Sequence, residues 1–289
     1  MASVCEQEKE NLGAKCNDLP SLPACMIETP DNFFIAPDDY ATEALLLAKL
    51  QDAILDVSSK RIYYWPFFDG YEGNNEDTVY EENALADLKV RNGKYRFRVF
   101  FAKGLCLHKA MFTHATKGGR VFLYDVDGRL FGTRDSQGNL RGFSISLLNP
   151  EKLIISDGSV ATKSPVYVVL ANSNEADKNG YVIDLPELTT LNRLTDVTLA
   201  VVGTPTATTI VVSVTASCDG TPISGLVTAD FVVTTAAGAT QVVTAAEGDE
   251  GVYTLTGTDM VSGFVNLVAP ASLSIEAYES TGKQTVTIA

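Results

Sequence analysis

The sequence predicts a mainly β protein. An N-terminal α+β domain, built as a β-meander, sandwich or partial barrel with one or two helices, precedes a C-terminal β-sandwich. Three observations carry this. Short runs in which apolar and polar residues alternate, separated by turn residues, recur through the chain, as half-buried strands require. Helical spacing is confined to residues 38–57 and 105–116. At Asp196 the alphabet shifts to Thr, Val, Ala, Ser and Gly, and seven or eight strand-like runs fill the remainder. A chain of 289 residues is long enough for two domains that each bury a core. The expected division is an extended arm over residues 1–37, the α+β domain over 38–194 and the sandwich over 195–289.

The composition, 45% hydrophobic and 20% charged, is ordinary for a globular protein. No run of 18 apolar residues occurs, so no membrane-spanning helix is expected. Residues 1–10 lack the basic start and apolar core of a secretory signal. Cys5, Cys16, Cys25, Cys106 and Cys218 fit no zinc or CxxC spacing and are expected as free thiols in a reducing compartment. The net charge of −14 is unevenly spread: between Lys89 and Arg141 twelve Lys or Arg face only Asp125, Asp127 and Asp135, a balance of +9. Residues 69–87 carry seven acids and no base. The acidic remainder argues against a protein that coats nucleic acid.

Taken in order, residues 1–37 contain Pro20, Pro23, Pro30 and Pro37, which interrupt any helix. Leu19, Leu22, Met26, Ile27, Phe33, Phe34 and Ile35 are too apolar for a free tail, so the arm should lie in a groove of its own domain or a neighbour's. Asp38-Asp39 reads as the cap of a helix to about Val57, with Leu46, Leu50, Ile54 and Val57 buried and Leu47 and Ala53 widening that face. Residues 61–68 read as an aromatic strand bent at Pro66, with Trp65 in the core. Residues 69–87 read as a long irregular loop.

A hairpin is expected at Asn92-Gly93, with φ > 0 at both residues. Beyond it Tyr95, Phe97 and Val99 face one way, and Lys94, Arg96 and Arg98 form a row of cations on the other. A helix over 105–116 and strands over 120–126, 129–133 and 139–148 complete a meander with turns at Asp127-Gly128 and residues 135–138. Strands over 152–156 and 164–170 follow, the second interior, then a polar loop over 171–180 and a connector over 185–194. The last domain reads as strands over 196–202, 209–215, 230–235, 239–244, 251–256, 263–268, 272–278 and 284–288.

No residue set carries chemistry. Gly142-Phe-Ser-Ile-Ser146 opens like a nucleophile elbow but lacks the second glycine. His108 and His114 are six residues apart, roughly 240° around a helix, and cannot share a metal from one face. Cys106-Leu-His108 places a thiol near an imidazole and reads as structural. Asp125-Val-Asp-Gly128 stops short of a calcium loop and reads as a turn. Catalytic, cofactor-binding and metal-binding residues are therefore expected to be none, cofactors none, and the chain is not expected to be an enzyme.

Asp219-Gly-Thr-Pro-Ile-Ser-Gly-Leu-Val-Thr-Ala-Asp-Phe231, with Gly251-Val-Tyr-Thr-Leu-Thr256, resembles the bacterial immunoglobulin-like repeats of surface adhesins and phage virion proteins. The whole plan, an α+β domain with a sticky arm, a long loop and an outer immunoglobulin-like domain, resembles in outline the tail-tube subunits of tailed phages. That resemblance implies a structural virion protein, assembled in the host bacterial cytoplasm. Its partners would be copies of itself, in hexameric rings stacked head to tail, other virion proteins and DNA in non-specific passage, with no membrane. One copy's acidic loop meeting the next copy's basic sheet would join them, unless loop and sheet pair within one subunit. A capsid decoration protein, head fibre or head–tail joint ring, or a bacterial adhesin, are the alternatives.

Overall fold

The computed structural model describes residues 20–83, 86–115, 118–158, 161–275 and 277–288, with the side chains of 81–90 outside the description. The expectations for residues 1–19, including Cys5, Cys16 and Leu19, and for the charges of Glu81, Glu82 and Asp87, lie outside it too. Among the described residues the fold is mainly β with three α-helices. The chain forms two compact units, one through residue 191 and the other comprising residues 192–289 together with 55–57.

The N-terminal unit contains β1 (Pro23–Thr29), α1 (Glu43–Leu55), β2 (Tyr63–Tyr64), β3 (Gly70–Gly73), β4 (Val79–Asn83), β5 (Ala86–Arg91), β6 (Arg96–Phe101), α2 (Leu105–Met111), β7 (Arg120–Asp125), β8 (Arg129–Arg134), β9 (Leu140–Arg141), β10 (Phe143–Pro150), β11 (Ser164–Leu170), α3 (Ser173–Asp177) and β12 (Gly180–Asp184). One edge of β7 is taken along its length by β1. The other edge is shared, by β10 at Arg120 and Val121 and by β8 at Leu123 and Tyr124. β10 then leaves β7 and pairs through Pro150 with β11, whose other neighbour is β6. A register shift between Ile145 and Leu147 marks the corner, as bulges do where a strand changes direction. Thus β10 belongs to two sheets and joins them. Met26, Val121, Leu123 and Phe143 on one side meet Phe97, Val99, Phe101, Val166, Val168 and Leu170 on the other in one buried cluster with Trp65 and Met111. Each large side chain buried there contributes about 1.5–3 kcal/mol.

Gly142 makes the corner possible: a Cβ there would stand 2.7–2.9 Å from the backbone of Val121. A buried polar knot fastens it. Arg120 donates through Nε to Gly142 O (2.7 Å), through Nη1 to Ser144 Oγ (2.9 Å) and through Nη2 to Glu175 of α3 (3.0 Å). Glu175 also accepts from Ser144 N and Oγ.

Several expectations are corrected. Residues 23–29 are a sheet strand, not part of an arm, because Cys25, Met26 and Ile27 are fully buried against β7. Asp38 and Asp39 sit in a single-turn 3-10 helix, Pro37–Tyr40. Thr42 starts α1 instead, its Oγ1 accepting from Leu45 N and its carbonyl from Leu46 N. Leu46, Leu50, Ala53 and Ile54 are buried as expected, but Val57 lies past the helix end and is 64% exposed. Asn92-Gly93 is not a hairpin turn and neither residue has positive φ. β5 pairs with β4, and β6 pairs with β3 and β11, so the chain crosses at Asn92-Gly93 from one ribbon to another sheet. The strands are accordingly not a simple meander. Residues 69–87 hold β3 and β4 rather than an irregular loop, 171–180 holds α3, and 152–156 gives only the bridge Ile154–Lys163. Of the expected free thiols, Cys25 is a buried thiol, whereas Cys106 and Cys218 are disulfide-bonded.

The C-terminal unit is a two-sheet sandwich of β13 (Thr195–Val202), β14 (Thr209–Ala216), β15 (Phe231–Thr235), β16 (Thr240–Gln241), β17 (Val243–Glu247), β18 (Val252–Gly257), β19 (Gly263–Leu267), β20 (Tyr278–Ser280) and β21 (Gln284–Val286). The sheets run β17-β18-β14-β13-β20 and β16-β15-β19-β21. Val197, Ile210, Val212, Val214, Tyr253 and Leu255 of the first meet Phe231, Val233, Val265, Leu267 and Val286 of the second in one core. The run expected as one strand over 239–244 changes sheets at Val242, which is 87% exposed. In place of the strand expected over 272–278, the described residues form a 3-10 turn, Pro270–Ser272, that leads to the short β20. Two buried polar groups fix the connections. Tyr253 OH donates to Ile223 O (2.8 Å) and accepts from Leu226 N (3.2 Å). Asp230 accepts from Val227 N (2.7 Å), Ser274 N (2.6 Å) and Ser274 Oγ.

Candidate functional site

β4 and β5 form a two-stranded ribbon that pairs with no other strand among the described residues. Val79 and Tyr80 on it are 38% and 58% exposed. An isolated ribbon is marginal in water without a partner, so its base must be held. Glu76 holds it. Its carboxylate accepts from Arg91 at 2.9 and 3.0 Å, in the two-pronged geometry that suits a guanidinium, and from Arg96 at 3.2 Å. The hydrogen bonds from Arg91 pull the Glu76 carboxyl below its ordinary value, and Glu76 raises Arg91 in return. Behind this clamp Gly93 passes so close to Glu76 that a Cβ would lie 1.7 Å from its carbonyl oxygen. Gly93 is required by this close approach, not by the positive φ expected of a hairpin turn.

The acidic stretch and the basic strand therefore meet within one subunit. β3 pairs with β6, setting Glu72 opposite Arg98. Arg98 donates through Nε to Glu151 at 2.6 Å. Asp69 accepts from Ala102 N at 2.6 Å and stands 3.8 Å from Lys103. Phe97 and Val99 are buried as expected and Arg96 and Arg98 lie on the opposite side, but these two cations are engaged by Glu76 and Glu151 rather than open. What the region presents is the ribbon, which no alternation pattern across residues 69–87 had disclosed.

The residues weighed for chemistry are dispersed. Ser144 belongs to the Arg120–Glu175 knot. Asp125 locks the β7–β8 turn, accepting from Asp127 N, Arg129 N, Arg129 Nε and Ser21 N. His108 on α2 lies edge-on to Phe112, its ring 5.2 Å away. His114 Nδ1 is 3.0 Å from Glu28 Oε2, which also accepts from Trp65 Nε1 at 3.0 Å. Glu28 and Glu175 were missed because their partners lie 86 and 55 residues away, beyond any local pattern. Among the described residues no group of three His, Cys, Asp or Glu is placed to hold a metal, and no helix is long and apolar enough to cross a membrane.

No protein-family model matches this chain, and no curated protein matches it.

Proposed function

We propose that the chain is a self-assembling structural protein of a tailed-phage virion, with the N-terminal sandwich as the ring-forming, tube-like unit and the C-terminal sandwich as an immunoglobulin-like outer domain. The observation that carries this is the β4–β5 ribbon, clamped at its base by Glu76 and exposing Val79 and Tyr80. A ribbon with unpaired edges and exposed apolar side chains suits insertion against another chain. β12 and β3 at the two ends of the strand order each pair with a single strand among the described residues, so sheet edges are available for lateral contacts between copies. The salt links at Glu76, Glu151 and Asp69 are made within the subunit, so the joining contact is assigned to the ribbon and sheet edges rather than to charge.

Negative-stain electron microscopy at low and high protein concentration and two salt levels tests this. Stacked rings or tubes that persist in high salt are expected. Dispersed particles under every condition would overturn self-assembly. They would favour the second reading, a decoration or joint protein, or an extracellular binding protein, which the bonded Cys106 and Cys218 suit because disulfides persist in virions and outside cells.

A further inference from the structure

We propose that the N-terminal sandwich contains a pocket for a small organic ammonium ion with an apolar ring or chain. A cavity of about 440 Å³ lies between its two sheets, walled by Tyr71, Tyr95, Phe97, Leu123, Phe131 and Leu170. That volume falls within the roughly 300–1,000 Å³ of small-molecule sites, whose apolar walls carry a few convergent polar groups. Tyr71 and Phe97 are stacked, centroids 5.7 Å apart and planes 24° from parallel, and make one aromatic wall.

Polar capacity remains at this pocket. Asp177 accepts from the Tyr95 hydroxyl through Oδ1, which holds the carboxylate at the cavity while Oδ2 has no partner among the described residues. The Tyr71 hydroxyl has no hydrogen-bond partner there either. Asp125 also lines the cavity, but Arg129 and backbone amides occupy it. No Lys or Arg is among the described lining residues, so the uncommitted charge is negative. The hydrogen bond to Asp177, with burial, pushes Tyr95 up to about 12, and burial raises Tyr71. Both stay neutral phenols at pH 7 and offer π faces to a cation. A carboxylate ligand would meet Asp177 as a like charge, and a neutral ring would gain only the apolar walls.

This inference does not depend on assembly. Its test is a titration of the full chain with benzylammonium, benzyl alcohol and benzoate, followed by ligand-observed NMR. Benzylammonium is expected to bind about five- to tenfold tighter than benzyl alcohol, the combined effect of one exposed ion pair and a cation–π contact, with benzoate weakest. Asp177→Asn should bring the amine within about twofold of the alcohol and leave the melting temperature unchanged. Ala176→Phe, which fills the cavity from its α3 side, should abolish binding of all three while circular dichroism stays native. Absence of saturable binding to the native chain, equal binding of amine and benzoate, or a full amine preference in Asp177→Asn would each overturn the proposal.

Discussion

The two sandwiches solve the same problem, joining two sheets around one core, by different means. In the N-terminal unit a single strand, β10, runs from one sheet into the other, and a charged knot of Arg120 and Glu175 pins the corner. In the C-terminal unit the chain changes sheets through the exposed Val242, and the connections are pinned by Tyr253 and Asp230. The first device concentrates stability in an ion pair among buried groups, where losing one partner strands the other. The second spreads it over hydrogen bonds to backbone and hydroxyl.

That difference can be broken selectively. Arg120→Met leaves Glu175 without its cation and Gly142 O without its donor. It should destabilise the N-terminal unit by about 3–5 kcal/mol, seen in calorimetry as a lowered transition for that unit with the other unmoved. A single unshifted pair of transitions would show that the knot is ornamental. Asp230→Ala should destabilise the C-terminal unit alone, by about 1–3 kcal/mol per stranded donor. Hydrogen exchange at Val227 and Ser274 would report it, and unchanged protection there would refute the role given to Asp230.

Smaller effects sharpen the comparison. Acidification should weaken both units. Glu76 in the first is held low by hydrogen bonds from Arg91, and Glu247 in the second by the amide of Gly225. A folded pKa below the unfolded one means stability that is present above the ordinary carboxylate value and lost as pH falls through the lowered one. Acid titration of the two Cδ resonances should show both midpoints below that value, and a normal midpoint for Glu76 would remove the clamp. In native protein, iodoacetamide should leave Cys25, Cys106 and Cys218 unmodified. Reduction should expose the latter two to alkylation, while Cys25 reacts only on unfolding.

The comparison also explains what was legible in the sequence. Strands whose partners are next in the chain, such as β13 with β14, were placed within a residue or two, because alternation and turn residues are local. β1 was taken for an arm because its partner β7 is about a hundred residues away and Pro23 and Pro30 masked its pattern. β3 and β4 were hidden by acidic residues and short strand length, β5 was read as the first arm of a hairpin at Asn92-Gly93, and α3 was hidden by a polar run. The exposed ribbon was invisible for the same reason as the Arg120–Glu175 knot: both are defined by what long-range pairing does or does not reach.

The proposed assembly requires the ribbon to join copies of the chain. Sedimentation velocity of the native protein and of Tyr80→Glu with Val79→Glu tests it most directly. Large, concentration-dependent species are expected for the native chain, and a monomer with an unchanged circular dichroism spectrum for the variant. Identical sedimentation of the two would contradict it.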